Sequence, residues 1–223
     1  CAEDSICQST IGVSAGGSHS LFLFGNGEIF GCGDNRYMQL GTAAAQVSSA
    51  TSTLATVESP RRVPWMCPHM PIFVECGWQF SAALTHGGLV YTWGDNRKGQ
   101  CAQQGSCASI AGDVIPTPTR VQFGPEKKKL CITSVSCGWS HMLAMERNGN
   151  VYSWGRHDMG QLGVRFPRKP SLIGTAGVFE VKFPLFASPG EHVIKIACGA
   201  EHSVAVTSSG CLFTWGWGEH GNL

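Results

Sequence analysis

The side chains best suited to chemistry recur at one interval. His19, His141 and His202 are separated by multiples of 61 residues, and Phe80 fills the same slot. An imidazole beside a hydroxyl, as in His19-Ser20 and His202-Ser203, has the groups of a nucleophile and its base. A strand sends adjacent side chains to opposite faces, so neighbours in sequence cannot work as such a pair. Nor would a catalytic imidazole be copied around a molecule and exchanged once for phenylalanine. These histidines are expected to be buried and hydrogen-bonded to neighbouring backbone. Cys76, Cys137 and Cys198 share a second slot, where the first copy has Ala15. Alanine there marks a small buried position rather than a bridge or a ligand. Cys67-Pro68-His69 and Cys101 with Cys107 are the remaining metal candidates, and neither has zinc-site spacing. No metal or cofactor is expected. Nucleophile-elbow, phosphate-loop and zincin patterns do not occur.

The interval organises the whole chain. Val13 to Ser20, Val74 to Ser81, Val135 to Met142 and Ile196 to Ser203 align at 61 residues without drift. Gly27, Gly88, Gly149 and Gly210 keep the register, as do Trp93, Trp154 and Trp215, with Cys32 in the first copy. Such periodicity signals a repeat architecture. Within a copy, Leu21 and Leu23 alternate with Phe22, and Asn26-Gly27 supplies a hairpin turn; Asn148-Gly149 does the same in the third copy. Each period thus holds at least three antiparallel strands, apolar on both faces. A sheet with two apolar faces must lie between neighbours, and stacking at a fixed period makes a β-propeller. A fourth, edge strand is expected near Val63 and Val121, where proline is tolerated. The blade motifs fall near 11–41, 72–102, 133–163 and 194–223, in one propeller domain spanning 1–223. The stretches 42–59, 103–114 and 164–190 read as long inter-strand loops.

Bulk properties restrict the partners. The chain has 223 residues, 43% hydrophobic and 14% charged, with a net charge of +1. That charge offers no general field for nucleic acid or anionic lipid. No apolar run is long enough to span a membrane as a helix. Eleven cysteines, several at periodic buried slots, suit free thiols in a reducing cytoplasmic or nuclear setting.

Departures from the repeat are where function is expected. Asp34-Asn35 and Asp95-Asn96 are turn formers, but the third copy has Arg156-His157 and the fourth has Trp217-Gly218 followed by Glu219-His220. These residues should crowd one rim of the ring. Trp217 beside Glu219 and His220 reads either as a binding hot spot or as a side chain tucked into a blade interface. Arg36, Arg97 and Arg156 recur in the same region, as a basic rim for an acidic partner or as solvated charges.

Cys137-Gly138, His141, Asn148-Gly149, Val151-Tyr152, Trp154-Gly155 and Gly160-Gln161-Leu162-Gly163 together resemble the regulator of chromosome condensation repeat. The resemblance covers nearly the whole chain. It implies an all-β propeller of about seven blades, of which about four are present. The last copy, from Cys198 to Asn222, is similar to the secretion-regulating exchange-factor and alpha-tubulin-suppressor types of that family. The family includes an exchange factor for the small GTPase Ran, so the resemblance implies a protein partner, with a small GTPase as the candidate, and no small-molecule substrate. Alternatives are a scaffold subunit of the tRNA-modification, diphthamide or secretion type, and chromatin binding. The slot before the glutamine (Met38, Gly99, Gly160, Gly221) offers no polar group for exchange. The chain reads as a fragment with open edges, expected to behave poorly when expressed alone.

Overall fold

The computed structural model describes residues 9–42, 56–103, 114–123, 130–165, 174–184 and 190–223. These form four antiparallel sheets. The first holds β1 (Thr10–Ala15), β2 (His19–Phe24), β3 (Ile29–Asp34) and β4 (Thr56–Arg62). The second holds β5 (Pro71–Cys76), β6 (Phe80–Thr85), β7 (Val90–Asp95) and β8 (Val114–Arg120). The third holds β9 (Ile132–Cys137), β10 (His141–Glu146), β11 (Val151–Arg156) and β12 (Gly174–Glu180). The fourth has β13 (Val193–Cys198), β14 (His202–Thr207) and β15 (Leu212–Gly216). Strands pair in chain order within each sheet. Every sheet is therefore a meander, the unit of a propeller blade. No helix among the described residues is long and apolar enough to cross a membrane.

Local chemistry explains the repeat within a blade. Asn26 Oδ1 accepts the Glu28 amide at 2.9 Å, and the Gly27 amide donates to Phe24 O at 2.8 Å, closing the β2–β3 turn. Gly27 has φ 84°, a conformation that glycine enters without a Cβ penalty. The register between inner strands breaks at one recurring place, at Thr10/Gly12, Pro71/Phe73, Met145/Glu146 and Val193/Lys195. Such bulges add twist, which lets each meander radiate from an axis.

The period-two pattern becomes the packing between blades. In β2, His19, Leu21 and Leu23 are buried while Ser20, Phe22 and Phe24 are half-buried. In β6 every residue is buried, because a blade covers each face. In β14 the pattern inverts, with Ser203, Ala205 and Thr207 buried. Leu21, Leu23, Ile29 and Val63 meet Val74, Ala83 and Trp93 between the first two blades. Phe80, Ala82, Leu84 and Val90 meet Val135, Met142, Ala144 and Trp154 between the second and third. The tryptophan slot is core, as its repetition implied.

The outer strands depart in part from expectation. Those of the first two blades end one residue before Val63 and Val121 and carry Pro60, Pro116 and Pro118 at a sheet edge. In the third blade the outer strand is Gly174–Glu180, inside the stretch 164–190 read as a loop. Likewise β4 begins inside 42–59. In the third blade the ladder pairs Ser153 with Phe179 and Gly155 with Thr175, and Val178 packs against the core between the second and third blades. The outer strands of the first two blades are exposed or half-buried and show no regular apolar alternation, so their side chains give little sign of them.

Candidate functional site

The repeated histidines form seams between blades. His19 Nε2 lies 2.9 Å from Ser81 Oγ, and His141 Nε2 lies 3.0 Å from Ser203 Oγ. Each hydroxyl donates its single proton to a backbone carbonyl, Gln39 O at 2.7 Å and Gln161 O at 2.9 Å. The hydroxyl must then accept from Nε2–H, which sets the neutral tautomer. Burial pushes both imidazoles down to about 4, which keeps them uncharged at neutral pH. His19, His141, Ser81 and Ser203 are all buried, so no substrate reaches them. The serine partner comes from the next blade, not from the adjacent residue. The preceding glycine slot follows from the same ring: a Cβ on Gly138 would stand against His141, and one on Gly77 against Phe80.

The same carbonyls anchor the tryptophans. Trp93, Trp154 and Trp215 Nε1 donate to Gln39, Gln100 and Gln161 O at 2.8, 2.9 and 2.8 Å. Gln39 and Gln161 side chains accept the Tyr37 and Met159 amides at 2.9 and 3.0 Å. The residue before each glutamine turns with positive φ: 58° at Met38, 77° at Gly99 and 80° at Gly160. That slot serves backbone geometry, which accounts for its lack of a polar group.

The seam between the second and third blades is built differently. Phe80 and Met142 replace the histidine and serine, and Glu75 stands in the slot of Ser14 and Ser136. Ser14 and Ser136 Oγ accept the Cys76 and Cys198 amides at 3.0 Å each. Glu75 Oε1 accepts from Ser136 Oγ at 3.3 Å, and Oε2 is buried without a hydrogen-bond partner among the described residues. Burial pushes the Glu75 carboxyl up to about 7. Cys76 and Cys198 Sγ donate to Ser14 and Ser136 O, and burial pushes the Cys76 thiol up to about 12. These are packing thiols, poor nucleophiles in this setting. Cys67 Sγ lies 2.6 Å from Tyr91 OH, and Cys101 Sγ donates to Asp95 O at 3.4 Å. Cys107 lies outside the described residues.

The rim residues all start from one end of the blades. The amides of Asp34, Asp95, Arg156 and Trp217 donate to Ser18, Gln79, Ser140 and Glu201 O at 2.7–2.9 Å, tying each rim loop to its inner turn. Arg36 forks onto Asp34 with contacts of 2.9–3.0 Å, and Arg97 does the same to Asp95. Burial alone would raise Asp34, but the Arg36 hydrogen bonds outweigh it and hold the carboxyl below its usual range. Arg97 also reaches Gln79 Oε1 at 3.2 Å and stacks 4.4 Å over the Tyr37 ring. Arg156 departs from these two. It occupies the aspartate slot, bonds Asp158 at 2.6 Å and reaches the buried Glu201 across the blade seam at 2.5 Å. The hydrogen bonds from Arg156 hold Asp158 below its usual range. His157 is half-buried beside it. Trp217 is half-buried, its ring 5.0 Å from that of His220, while Glu219 and His220 are exposed. The structure thus ties Arg36, Arg97 and Arg156 to acids of their own surface and leaves Trp217 partly open.

A cavity of about 300 Å³ opens at the axial end of this face, lined by the turns of all four blades. Trp78 and Trp139 border it with ring centroids 5.0 Å apart, exposed by 45% and 47%. The sequence reading passed over both. A signal was present: the slot runs Gly17, Trp78, Trp139, Ala200, so the scaffold does not require an aromatic there.

The family model for the RCC1-like domain matches residues 4–223. The chain belongs to the RCC1-like family. Within it, the mouse secretion-regulating guanine nucleotide exchange factor is 30% identical over 99% of this chain and 47% of its own length. Arabidopsis thaliana ultraviolet-B receptor UVR8 is 28% identical over 95% of the chain and 42% of its own length. Among solved structures, yeast RCC1 (Prp20) bound to Kap60 superposes with a TM-score of 0.72 at 26% identity, over 98% of the chain and 46% of that protein. A second Prp20p structure, from Saccharomyces cerevisiae, was described with its binding properties to Gsp1p and histones; it gives 0.71 at 25% identity and covers 98% of the chain and 47% of its own. The RCC1-like chain spans about half the length of these relatives. Its fold is that of an RCC1 propeller, present in part.

Proposed function

We propose that this RCC1-like chain is part of a protein-interaction propeller that regulates a small GTPase, acting as a guanine nucleotide exchange factor. The observation carrying the reading is the 30% identity to the secretion-regulating exchange factor across 99% of the chain. The site agrees with it. The histidines, serines and glutamines are spent on holding blades together, whereas large polar and aromatic groups converge on one exposed face. Activity on such a surface comes from differential binding. The propeller holds the nucleotide-free GTPase more tightly than the loaded one and shifts populations by that difference. Among the described residues the cysteines are free thiols, which supports a reducing cytoplasmic or nuclear setting.

A scaffold without exchange activity is favoured by one feature, the use of the slot before the glutamine for turn geometry alone. The experiment separating the two uses the intact protein and a panel of purified small GTPases, Gsp1p included, loaded with fluorescent GDP. Release accelerated 10-fold or more for one member, with stable capture only after nucleotide is stripped, supports exchange. Capture indifferent to nucleotide supports the scaffold.

A further inference from the structure

Two outer strands carry a pattern that the blade does not need. Ser59-Pro60-x-Arg62 in β4 and Thr117-Pro118-x-Arg120 in β8 occupy the same slots. Arg62 pairs with Phe30 and Arg120 with Tyr91, and the hydroxyl residue is the fourth of seven in each strand. In the third blade Glu180 pairs with Tyr152, which puts Gly177 and Val178 where the others have the hydroxyl and the proline. The scaffold therefore requires neither of these, nor the arginine. What it does require comes next in the chain, where Val63, Val121 and Val181 are all buried. The register slips between Gly31 and Gly33 and between Thr92 and Gly94, so both hydroxyl–proline pairs fall where the ladder does not hold them. Ser59, Thr117, Arg62 and Arg120 are exposed. β1, β5, β9 and β13 follow one another around the axis, so β4 and β8 stand at the far edges of their sheets. The second blade has a neighbour on each face. Blades added to the ring would stand against the first and fourth, so ring closure does not cover the edge that holds Thr117.

We propose that Thr117 and Ser59 are phosphorylation sites for a proline-directed serine/threonine kinase. The reaction is phosphoryl transfer. The hydroxyl oxygen bonds the γ-phosphorus of ATP as the bond to the bridging oxygen breaks, a carboxylate of the kinase takes the hydroxyl proton, and ADP leaves. Such a kinase reads a short extended segment. Proline directly after the hydroxyl brings no N–H to satisfy in the kinase cleft and fixes an extended φ. Arginine two places further on offers charge-assisted hydrogen bonds to an acidic pocket. An edge strand presents this segment already extended, with its outer backbone groups unpaired. The Glu28 carboxylate does not withhold Arg62, whose side chain is 66% exposed, because surface ion pairs are weak. Neither hydroxyl belongs to a blade seam, so a phosphate changes surface charge and leaves the stack standing. At Ser59 its charge of about −1.5 to −2 at neutral pH offsets the neighbouring Arg61 and Arg62. Exchange activity is not needed for this mark.

The test uses the intact folded protein, MgATP and a purified cyclin-dependent kinase as the probe, with phosphate located by mass spectrometry. Free peptides of the two segments give reference rates. The expected result is phosphate on Thr117 and Ser59 of the folded protein at rates within about 10-fold of the peptides. Ser188 is also followed by proline but has Glu191 at the third place, and should react at least about 10-fold more slowly. Arg120→Ala and Arg62→Ala should each slow their own site by about 10-fold or more, with the other site and the melting curve unchanged. Thr117→Ser should keep its site and Thr117→Ala should lose it. Labelling of the peptides or of heat-unfolded protein alone would show both strands closed to a kinase and overturns the proposal. Equal labelling of Ser188, or arginine variants that react normally, overturns the assigned kinase class. A phosphorylated protein that no longer melts cooperatively overturns the surface role. The intact protein isolated from cells under phosphatase inhibition should carry phosphate at these residues, and its absence from both also overturns the proposal.

Discussion

The seam between the second and third blades and the two seams flanking it solve one geometric problem with opposite chemistry. Where the first meets the second and the third meets the fourth, a neutral histidine donates to a serine that donates to a glutamine carbonyl. Between the second and third, Phe80 fills the histidine slot and Met142 faces it, with a buried carboxyl, Glu75, nearby. Every seam retains its tryptophan-to-carbonyl bond. The comparison teaches that the repeat demands a flat ring packed over a glycine, and that the ring's polarity is free to change. It is paired with serine where it is polar and with methionine where it is not, because a buried hydroxyl without a partner is costly.

Removing the ring should separate the seams most sharply. Phe80→Ala empties a fully buried site and is expected to cost about 3–5 kcal/mol. His141→Ala leaves Ser203 still donating to Gln161 and should cost about 1–3 kcal/mol. Urea midpoints measure both, and equal losses would refute the distinction. The double variant Phe80→His, Met142→Ser should keep more stability than Phe80→Ala, since it rebuilds the flanking pair.

Acidity should act on the seams in opposite directions. The imidazoles of His19 and His141 fall to about 4 in the folded state from 6.5. The unfolded chain then binds the extra protons between those values, so stability is full above 6.5 and is lost as pH falls toward 4, by at most about 3 kcal/mol per ring. Glu75 is raised to about 7 from 4.5, so its contribution is full below 4.5 and is lost as pH rises through 7. Melting temperatures from pH 4.5 to 8 should show Glu75→Gln gaining on the parent chain as pH rises. His141→Phe with Ser203→Met should lose part of the acid-side decline. Identical pH profiles for the parent chain and these variants would show that neither seam titrates as its burial implies.

The smallest effect concerns the loop that supplies Gln39. Met38 sits at φ 58°, where the third blade uses glycine. Met38→Gly should relieve that strain and stabilise the first seam by roughly 0.5–1 kcal/mol. Calorimetry on the two chains checks the sign.

Much of this fold can be read from the residue string, for a physical reason. Both faces of each sheet must be apolar and each turn needs a particular backbone, so a period of 61 writes the blades, the hairpins and the tryptophan core directly into residue types. Edge strand Gly174–Glu180 was illegible because Gly174, Gly177 and the small residues between them break any apolar alternation, leaving Val178 to meet the core. The rim loops were legible as departures from the repeat, and Arg36, Arg97, Arg156, His157, Trp217, Glu219 and His220 do lie at one end of the sheets. Their pairing was not legible. That His19 meets Ser81 and not Ser20, that Arg156 bridges Asp158 and Glu201 across a seam, and that Trp78 reaches Trp139 beside the axis all depend on how one blade is set against the next. Repetition specifies each blade by local chemistry, but a contact 61 or 62 residues away exists only once the blades stack. The surface offered to a partner is therefore a product of packing.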